Sequence, residues 1–224
     1  MKFIDRILGF LVHNFFKTLA VLIFNCLYRT VYINGGNIPK KGGCLVMPNH
    51  SSFWDPPLVG CVTYRRQFKF MARDTLFRFP VWGTLLRYMG AFPVRRGAVD
   101  RKSWDALVQK VNEGEVVTFF PEGTRTLDGE IQKGKPGTGM LVHRARTKVI
   151  PVYMHGTYGA WPKGRKFPRF FRRLTVIYGE PIDFSGYFEK EGTKELYVEI
   201  TEKIIDRIKE LKKARLESVG AGKK

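Results

Sequence analysis

Cys44-Leu45-Val46-Met47-Pro48-Asn49-His50-Ser51-Ser52-Phe53-Trp54-Asp55-Pro56-Pro57 passes from a short apolar run through a polar turn into a double proline. The run at 44–47 has no polar alternation, as expected of a strand covered on both faces. Proline suits the first position of a helix, so the turn leads from a strand into a helix. Similar units recur along the chain. Strands are expected at 31–33, 44–47, 68–72, 91–94, 116–120, 149–154 and 174–178, each bounded by Gly, Pro or charged residues. Helices are expected at 57–64 and 80–88, both opening on proline, at 103–112 behind a capping Ser103, and at 137–147. A last helix at 194–216 aligns Leu196, Ile200, Ile204, Ile208 and Leu211 on one face. This alternation predicts an α/β fold with a mixed central sheet flanked by helices, occupying 31–217 and followed by a flexible tail at 218–224.

Residues 1–30 read differently. Ile7 to Tyr28 is apolar except for a polar break at His13, Asn14 and Lys17. A spanning helix needs ~20 apolar residues in a row. A signal peptide would have a shorter apolar region and a small-residue cleavage site. Two short helices, or one kinked amphipathic helix, lying in a membrane interface fit the pattern better. Phe3, Phe10, Phe15, Phe16 and Phe24 supply apolar mass, and Lys2, Arg6, Lys17 and Arg29 supply charges for headgroups.

Composition supports that direction. The 224 residues carry 39 Lys and Arg against 20 Asp and Glu, a net charge of +19, and 18 Phe. Such a chain is drawn to polyanions, and its aromatics suit an interface as well as a nucleic acid. Cys26, Cys44 and Cys61 are odd in number and widely spaced, which disfavours a disulfide framework and favours a reducing compartment. The four histidines have no ligand spacing, so no metal is expected.

Three strand ends carry candidate chemistry. In the turn at 49–55, Asp55 either caps the next helix or accepts a hydrogen bond from His50. The second arrangement fixes the imidazole tautomer and makes His50 a general base for a hydroxyl. Ser51 and Ser52 do not lie in a nucleophile elbow, so a covalent acyl-enzyme is not expected. Phe119-Phe120-Pro121-Glu122-Gly123-Thr124-Arg125 also leaves a strand. Here Gly123 allows close backbone approach, Arg125 can grip a phosphate bidentately, and Glu122 can accept from a ligand hydroxyl or pair with an arginine. Arg95 and Arg96 follow a third strand and fit anion binding, or solvated loop charges.

Taken together, these stretches resemble the glycerolipid acyltransferases. His50 to Asp55 is similar to their H-x-x-x-x-D motif, 119–125 to F-P-E-G-T-R, 91–97 to G-x-[FI]-x-x-x-R, and Val149-Ile150-Pro151-Val152 to a fourth, Pro-centred block. All four follow the family's order, and with 68–73 the resemblance spans roughly 31 to 178. Thr126 stands where many relatives have Ser, which keeps the hydroxyl. The resemblance is nearest to the enzymes acting on lysophosphatidic acid. It implies acyl transfer from a thioester, either acyl-CoA or acyl-carrier protein, to the free hydroxyl, giving phosphatidic acid without a cofactor. His50 would be the base and Asp55 its orienting partner. Glu122, Gly123, Thr124, Arg125, Arg95, Arg96 and Lys69 would bind the acceptor's phosphate and head, and Pro151 would shape the wall near the acyl chain.

Gly129 to Lys135 copies the first seven positions of a P-loop, but Pro136 supplies neither hydroxyl nor N–H, so no nucleotide hydrolysis is expected. The stretch 162–173 holds Lys163, Arg165, Lys166, Arg169, Arg172 and Arg173 with three Phe and no acid. On a membrane protein it reads as a grip on anionic lipid; otherwise it is a solvated basic loop. The apolar N-terminal segment points to a monotopic protein, and the basic charge and free cysteines to the cytoplasmic face of the inner membrane. Two alternatives stand beside this reading: an acyltransferase using glycerol-3-phosphate or another lysophospholipid, and a nucleic-acid-binding protein. The latter has no recognisable motif and is not expected.

Overall fold

The computed structural model of the chain describes residues 3–94 and 101–221. Seven strands form one sheet in the order β1-β7-β6-β2-β5-β3-β4. They are β1 (Val31–Ile33), β2 (Cys44–Pro48), β3 (Phe68–Arg73), β4 (Ala91–Val94), β5 (Val116–Thr118), β6 (Val149–His155) and β7 (Thr175–Tyr178). From β6 through β4 all neighbours are parallel, whereas β7 runs antiparallel to β6 and parallel to β1. The mixed sheet is therefore a parallel block with a reversed pair at one edge.

The pleat of β2 divides the core in two. Cys44 and Val46 point to one face, where they pack with Ile150, Val152, Val176, Leu58 and Val59. Leu45 and Met47 point to the other, among Leu107, Leu141, Leu196, Ile200, Ile204 and Ile208. All five β2 residues are buried, which is why the run is uniformly apolar. On the first face lie α1 (Phe3–Tyr28) and α2 (Asp55–Gly60), with α3 (Pro80–Tyr88) packed beside α1. On the second lie α4 (Arg101–Asn112), α5 (Pro136–Ala145) and α7 (Lys194–Ala221). Helices α5 and α7 approach closely at Gly139, where a Cβ would stand 2.0 Å from the Tyr197 carbonyl oxygen. The short α6 (Thr157–Ala160) follows β6.

The sheet follows the expected strands closely, and Val31–Ile33, Ala91–Val94 and Pro80–Tyr88 coincide with them. The N-terminus differs: α1 is one continuous helix, neither two pieces nor broken at the polar residues. The reason is where those residues point. Gln67 bonds the His13 ring at 3.0 Å, and the buried Lys17 amine donates to the Thr63 carbonyl. His13 and Lys17 face the protein and the Asn14 amide donates back to the Phe10 carbonyl at 2.8 Å, while Phe10, Leu11, Phe15, Leu19 and Leu22 face outward. The last two turns of α1 join the core through Phe24 and Tyr28, both essentially inaccessible. Helix α2 begins two residues earlier than expected and ends four earlier. Helix α7 continues to Ala221, so 218–221 are helical rather than a frayed tail, and 222–224 lie outside the described residues.

Candidate active site

Strands β2 and β5 are parallel neighbours, so their carboxyl ends release two loops side by side, 49–54 and 119–135. Crevices at such ends are the usual ligand positions of parallel α/β sheets. His50 lies in the first loop and Asp55 in the first turn of α2, where Trp54 takes the cap position. Freed from capping, the Asp55 carboxylate turns back. Its Oδ2 meets His50 Nδ1 at 2.9 Å and accepts from the Ser51 and Ser52 backbone N–H groups, both at 2.7 Å. Asp55 is wholly buried and His50 partly exposed. With Nδ1 committed to the carboxylate, Nε2 is the nitrogen left to take a proton. The Phe120 ring stacks on the imidazole, 3.9 Å between centroids and 22° from parallel.

The dyad loop is stapled to β6 and α6. Asn49 Oδ1 accepts from the Met154 backbone N–H at 2.7 Å. The Ser51 and Thr157 hydroxyls meet at 2.8 Å, and the Ser52 hydroxyl donates to the Trp161 carbonyl at 2.9 Å. Both serine hydroxyls are thus engaged in holding the loop.

The second loop is tied to the first. Thr126 N–H donates to the His50 carbonyl at 2.9 Å. Glu122 Oε1 accepts from the His50 N–H at 2.7 Å, and its Oε2 accepts from the Gln132 N–H at 3.0 Å. Glu122 is only 1% exposed, so the expectation that it faces a ligand is corrected: it braces the two loops from inside. Burial pushes its carboxyl up to about 7, against the opposing pull of the two N–H donors. Gly123 closes a turn at φ +70° with its N–H on the Phe120 carbonyl, a left-handed position that favours glycine. Thr124 is exposed beside it. The Arg125 guanidinium lies 3.5 Å from the centroid of the Phe53 ring, which brings the cation onto the dyad loop. Thr126, Asp128 and the Gln132 side chain knit the rest of the loop together.

Two expected residues are placed elsewhere. Lys69 projects to Gln67 (2.7 Å) and toward Glu115 (3.6 Å), at the amino end of β5, because it is the second residue of a strand that starts level with Val116 and runs parallel to β5. Pro151 is buried within β6 beside Met47, and its ring faces Gly179 and Leu211 under α7 rather than the cleft. Arg95 and Arg96 lie outside the described residues. Sequence reasoning missed Phe120, Asn49 and Gln132; the position of Phe120 between an apolar strand and the charged turn was the available signal for an aromatic facing the site. Among the described residues no cluster of three or more His, Cys, Asp or Glu is placed to hold a metal ion.

The carboxyl edge of the parallel block thus presents a carboxylate-oriented imidazole beside an arginine stacked on an aromatic ring. Residues 30–155, more than half of the chain, match the family model described as Acyltransferase, and the chain belongs to that family. One solved structure it is similar to is the 1-acyl-sn-glycerophosphate (LPA) acyltransferase PlsC from Thermotoga maritima. The two share 27% identity at a TM-score of 0.69, over 90% of this chain and 78% of that one. The 1-acyl-sn-glycerol-3-phosphate acyltransferase of Bacillus subtilis is 29% identical over 80% of this chain and 85% of its own. The chloroplastic 1-acyl-sn-glycerol-3-phosphate acyltransferase BAT2 of Brassica napus is 29% identical over 76% of this chain and 50% of its own. The chain spans about half the length of several curated relatives it matches.

Proposed function

We propose that this protein transfers a fatty acyl group from a thioester, acyl-CoA or acyl-carrier protein, to the free hydroxyl of lysophosphatidic acid, forming phosphatidic acid. The observation that carries the reading is the 2.9 Å contact between His50 Nδ1 and the buried Asp55 carboxylate, on a loop stacked against an arginine. His50 Nε2 takes the proton of the acceptor hydroxyl as its oxygen attacks the thioester carbonyl carbon. Asp55 and the Phe120 face stabilise the imidazolium that forms. The tetrahedral intermediate then collapses: the C–S bond breaks, and the leaving thiolate recovers the proton from His50. Arg125, with the Gly123–Thr124 turn, holds the acceptor's phosphate, and the pair of loops positions its hydroxyl.

Helix α1 is the membrane segment of this reading. Its outward row of Phe10, Leu11, Phe15, Leu19 and Leu22 meets lipid, while His13 and Lys17 bind it to the domain. A helix whose last turns pack into the domain through Phe24 and Tyr28 fits a monotopic protein lying at the bilayer surface, and the basic charge and free cysteines favour the cytoplasmic face of the inner membrane. The exposed basic loop 162–173 adds attraction for anionic headgroups.

The test is phosphatidic acid formation from lysophosphatidic acid with either donor, wild type beside His50→Ala. General-base catalysis is worth ~10²–10⁴-fold, so the variant should lose that much rate with an unchanged circular dichroism spectrum. Equal rates would remove His50 from the mechanism. An inactive wild type would remove the acceptor.

A further inference from the structure

The connection between β3 and β4 carries an apolar surface that the reaction does not use. After Arg73 the chain makes a tight 3-10 turn, Asp74–Arg78, and enters α3. Along this piece Leu76 is 42% exposed, Phe79 67%, Val81 85% and Trp82 50%. Four large apolar side chains within seven residues exceed the scattered exposure of an ordinary soluble surface. The segment is also rigid in build. Gly83 N–H donates to the Phe79 carbonyl at 2.7 Å, and a Cβ on Gly83 would stand 2.7 Å from the Phe77 carbonyl oxygen. The turn and helix are clamped together, so the apolar tips are held outward. Arg73, Arg78 and Arg87 are exposed around them, with Asp74 as the single acid of the piece.

Topology sets where this surface stands. Because β3, β5, β2 and β6 are parallel neighbours, the ends of β3 and β6 lie on the same edge as the dyad, one on either side of it. At a strand spacing near 4.8 Å, the two ends are about 14 Å apart. The chain leaving β6 reaches the basic loop, where Phe167 is 68% exposed and Phe171 83%. Phe171 is held at φ +59°, an uncommon conformation for a bulky residue, with its N–H on the Leu27 carbonyl. Both segments therefore flank the site and carry exposed aromatics among arginines, and both pack against α1: Tyr88 beside Gly9, Phe170 beside Tyr28.

We propose that the β3–β4 crossover, through Leu76, Phe79, Val81 and Trp82, is a second lipid-inserting element. Together with the basic aromatic loop 162–173 it straddles the dyad and seats the carboxyl edge of the sheet on an anionic bilayer. The occupant is a lipid surface because the apolar residues are aromatic-rich, rimmed by arginine, and carried on a turn and a helix, α3, that packs beside α1. The inference rests on the membrane reading of α1 and adds to it the orientation of the cleft: the acceptor's hydroxyl rises into the loops from the lipid side, without leaving the membrane.

The experiment uses the full chain with vesicles of phosphatidylcholine, with and without phosphatidylglycerol. Phe79→Ser/Val81→Ser/Trp82→Ser changes only exposed side chains, and an unchanged melting temperature checks its fold. The variant should float with anionic vesicles at least about tenfold less well than wild type. Its rate on vesicle-borne lysophosphatidic acid should fall in step, while its rate on a short-chain, monomeric acceptor stays at the wild-type value. Bromine-labelled lipid should quench a tryptophan signal in wild type that is missing from Trp82→Phe. Wild-type flotation by the variant, or no Trp82 contribution to quenching, would overturn the proposal. So would a wild-type dimer that the triple variant dissociates, since the surface would then belong to a second copy. If quenching and flotation behave as expected but no acyl transfer occurs with either acceptor, the seat on the membrane stands and the proposed reaction falls.

Discussion

The two ends of the sheet carry similar residues and use them differently. At the amino end, the Arg66 guanidinium donates to the carbonyls of Pro39, Gly42 and Gly114, drawing together the chain before β2 and the chain before β5. Lys69 is held there by Gln67 and Glu115, and the Thr147 hydroxyl donates to the Gly43 carbonyl. Cations at this end are consumed by the fold. At the carboxyl end, Arg125 lies on an aromatic face beside the dyad, and the cations of 162–173 stand exposed with phenylalanines between them. A basic residue type alone therefore says little about anion binding in a chain of net charge +19. What matters is where in the sheet the residue stands and which groups surround it.

The contrast can be tested from its strongest element down. Glu122 braces the carboxyl-end loops as a buried group whose carboxyl is raised from its ordinary 4.5 to about 7. Since the folded value lies above the unfolded one, its stabilising contribution is complete below the ordinary value and is lost as pH rises through about 7. Urea unfolding between pH 5 and 8 should show a loss of ~3 kcal/mol in wild type that is absent from Glu122→Gln. Equal slopes would mean that Glu122 ionises freely in the fold. Next, Arg125→Ala should reduce kcat/KM for the acceptor about 30-fold, ~2 kcal/mol, mostly through KM, with the donor KM unaltered. A purely donor-side effect would move the arginine to the other substrate. Phe120→Leu, which keeps bulk but removes the ring face, should slow turnover about fivefold, ~1 kcal/mol. Wild-type turnover in the variant would reduce Phe120 to packing. The smallest effect belongs to the amino end: Lys69→Ala should leave acceptor kinetics within about twofold and stability within ~0.5 kcal/mol. A large rise in acceptor KM would break the contrast outright.

The fold was readable in the sequence wherever burial on both faces leaves a uniform apolar run, as in β2, β6 and β7. The site was readable where several special residues share one loop, as in 49–55 and 119–125. The partners of those residues were not. Glu122 looked like a ligand contact because a carboxylate at a strand end usually meets solvent. Its two N–H donors come from positions 50 and 132, and no local pattern announces them. Asn49 meets Met154 across 105 residues for the same reason. Lys69 and Pro151 carried the right chemistry, but strand direction and pleat turned them toward other neighbours. In α1 the polar interruption read as a break in the helix. Its His13 and Lys17 form the inward stripe of an unbroken one, and a helix whose polar side faces protein cannot be told by composition from one that is interrupted.

The reversed edge pair of the sheet decides where the chain's own beginning arrives. Because β7 returns antiparallel and β1 lies parallel to it, Val31 pairs with Thr175 and Thr175 with His155, at the catalytic end. Tyr28 is thereby delivered to within hydrogen-bonding reach of Trp54, 2.9 Å from its indole N–H, one residue before Asp55. Had β1 entered in the direction of β2, α1 would end a strand's length away, roughly 15 Å. Two turned strands thus seat the end of α1 on the dyad loop, where Tyr28 and Phe24 both meet Trp54.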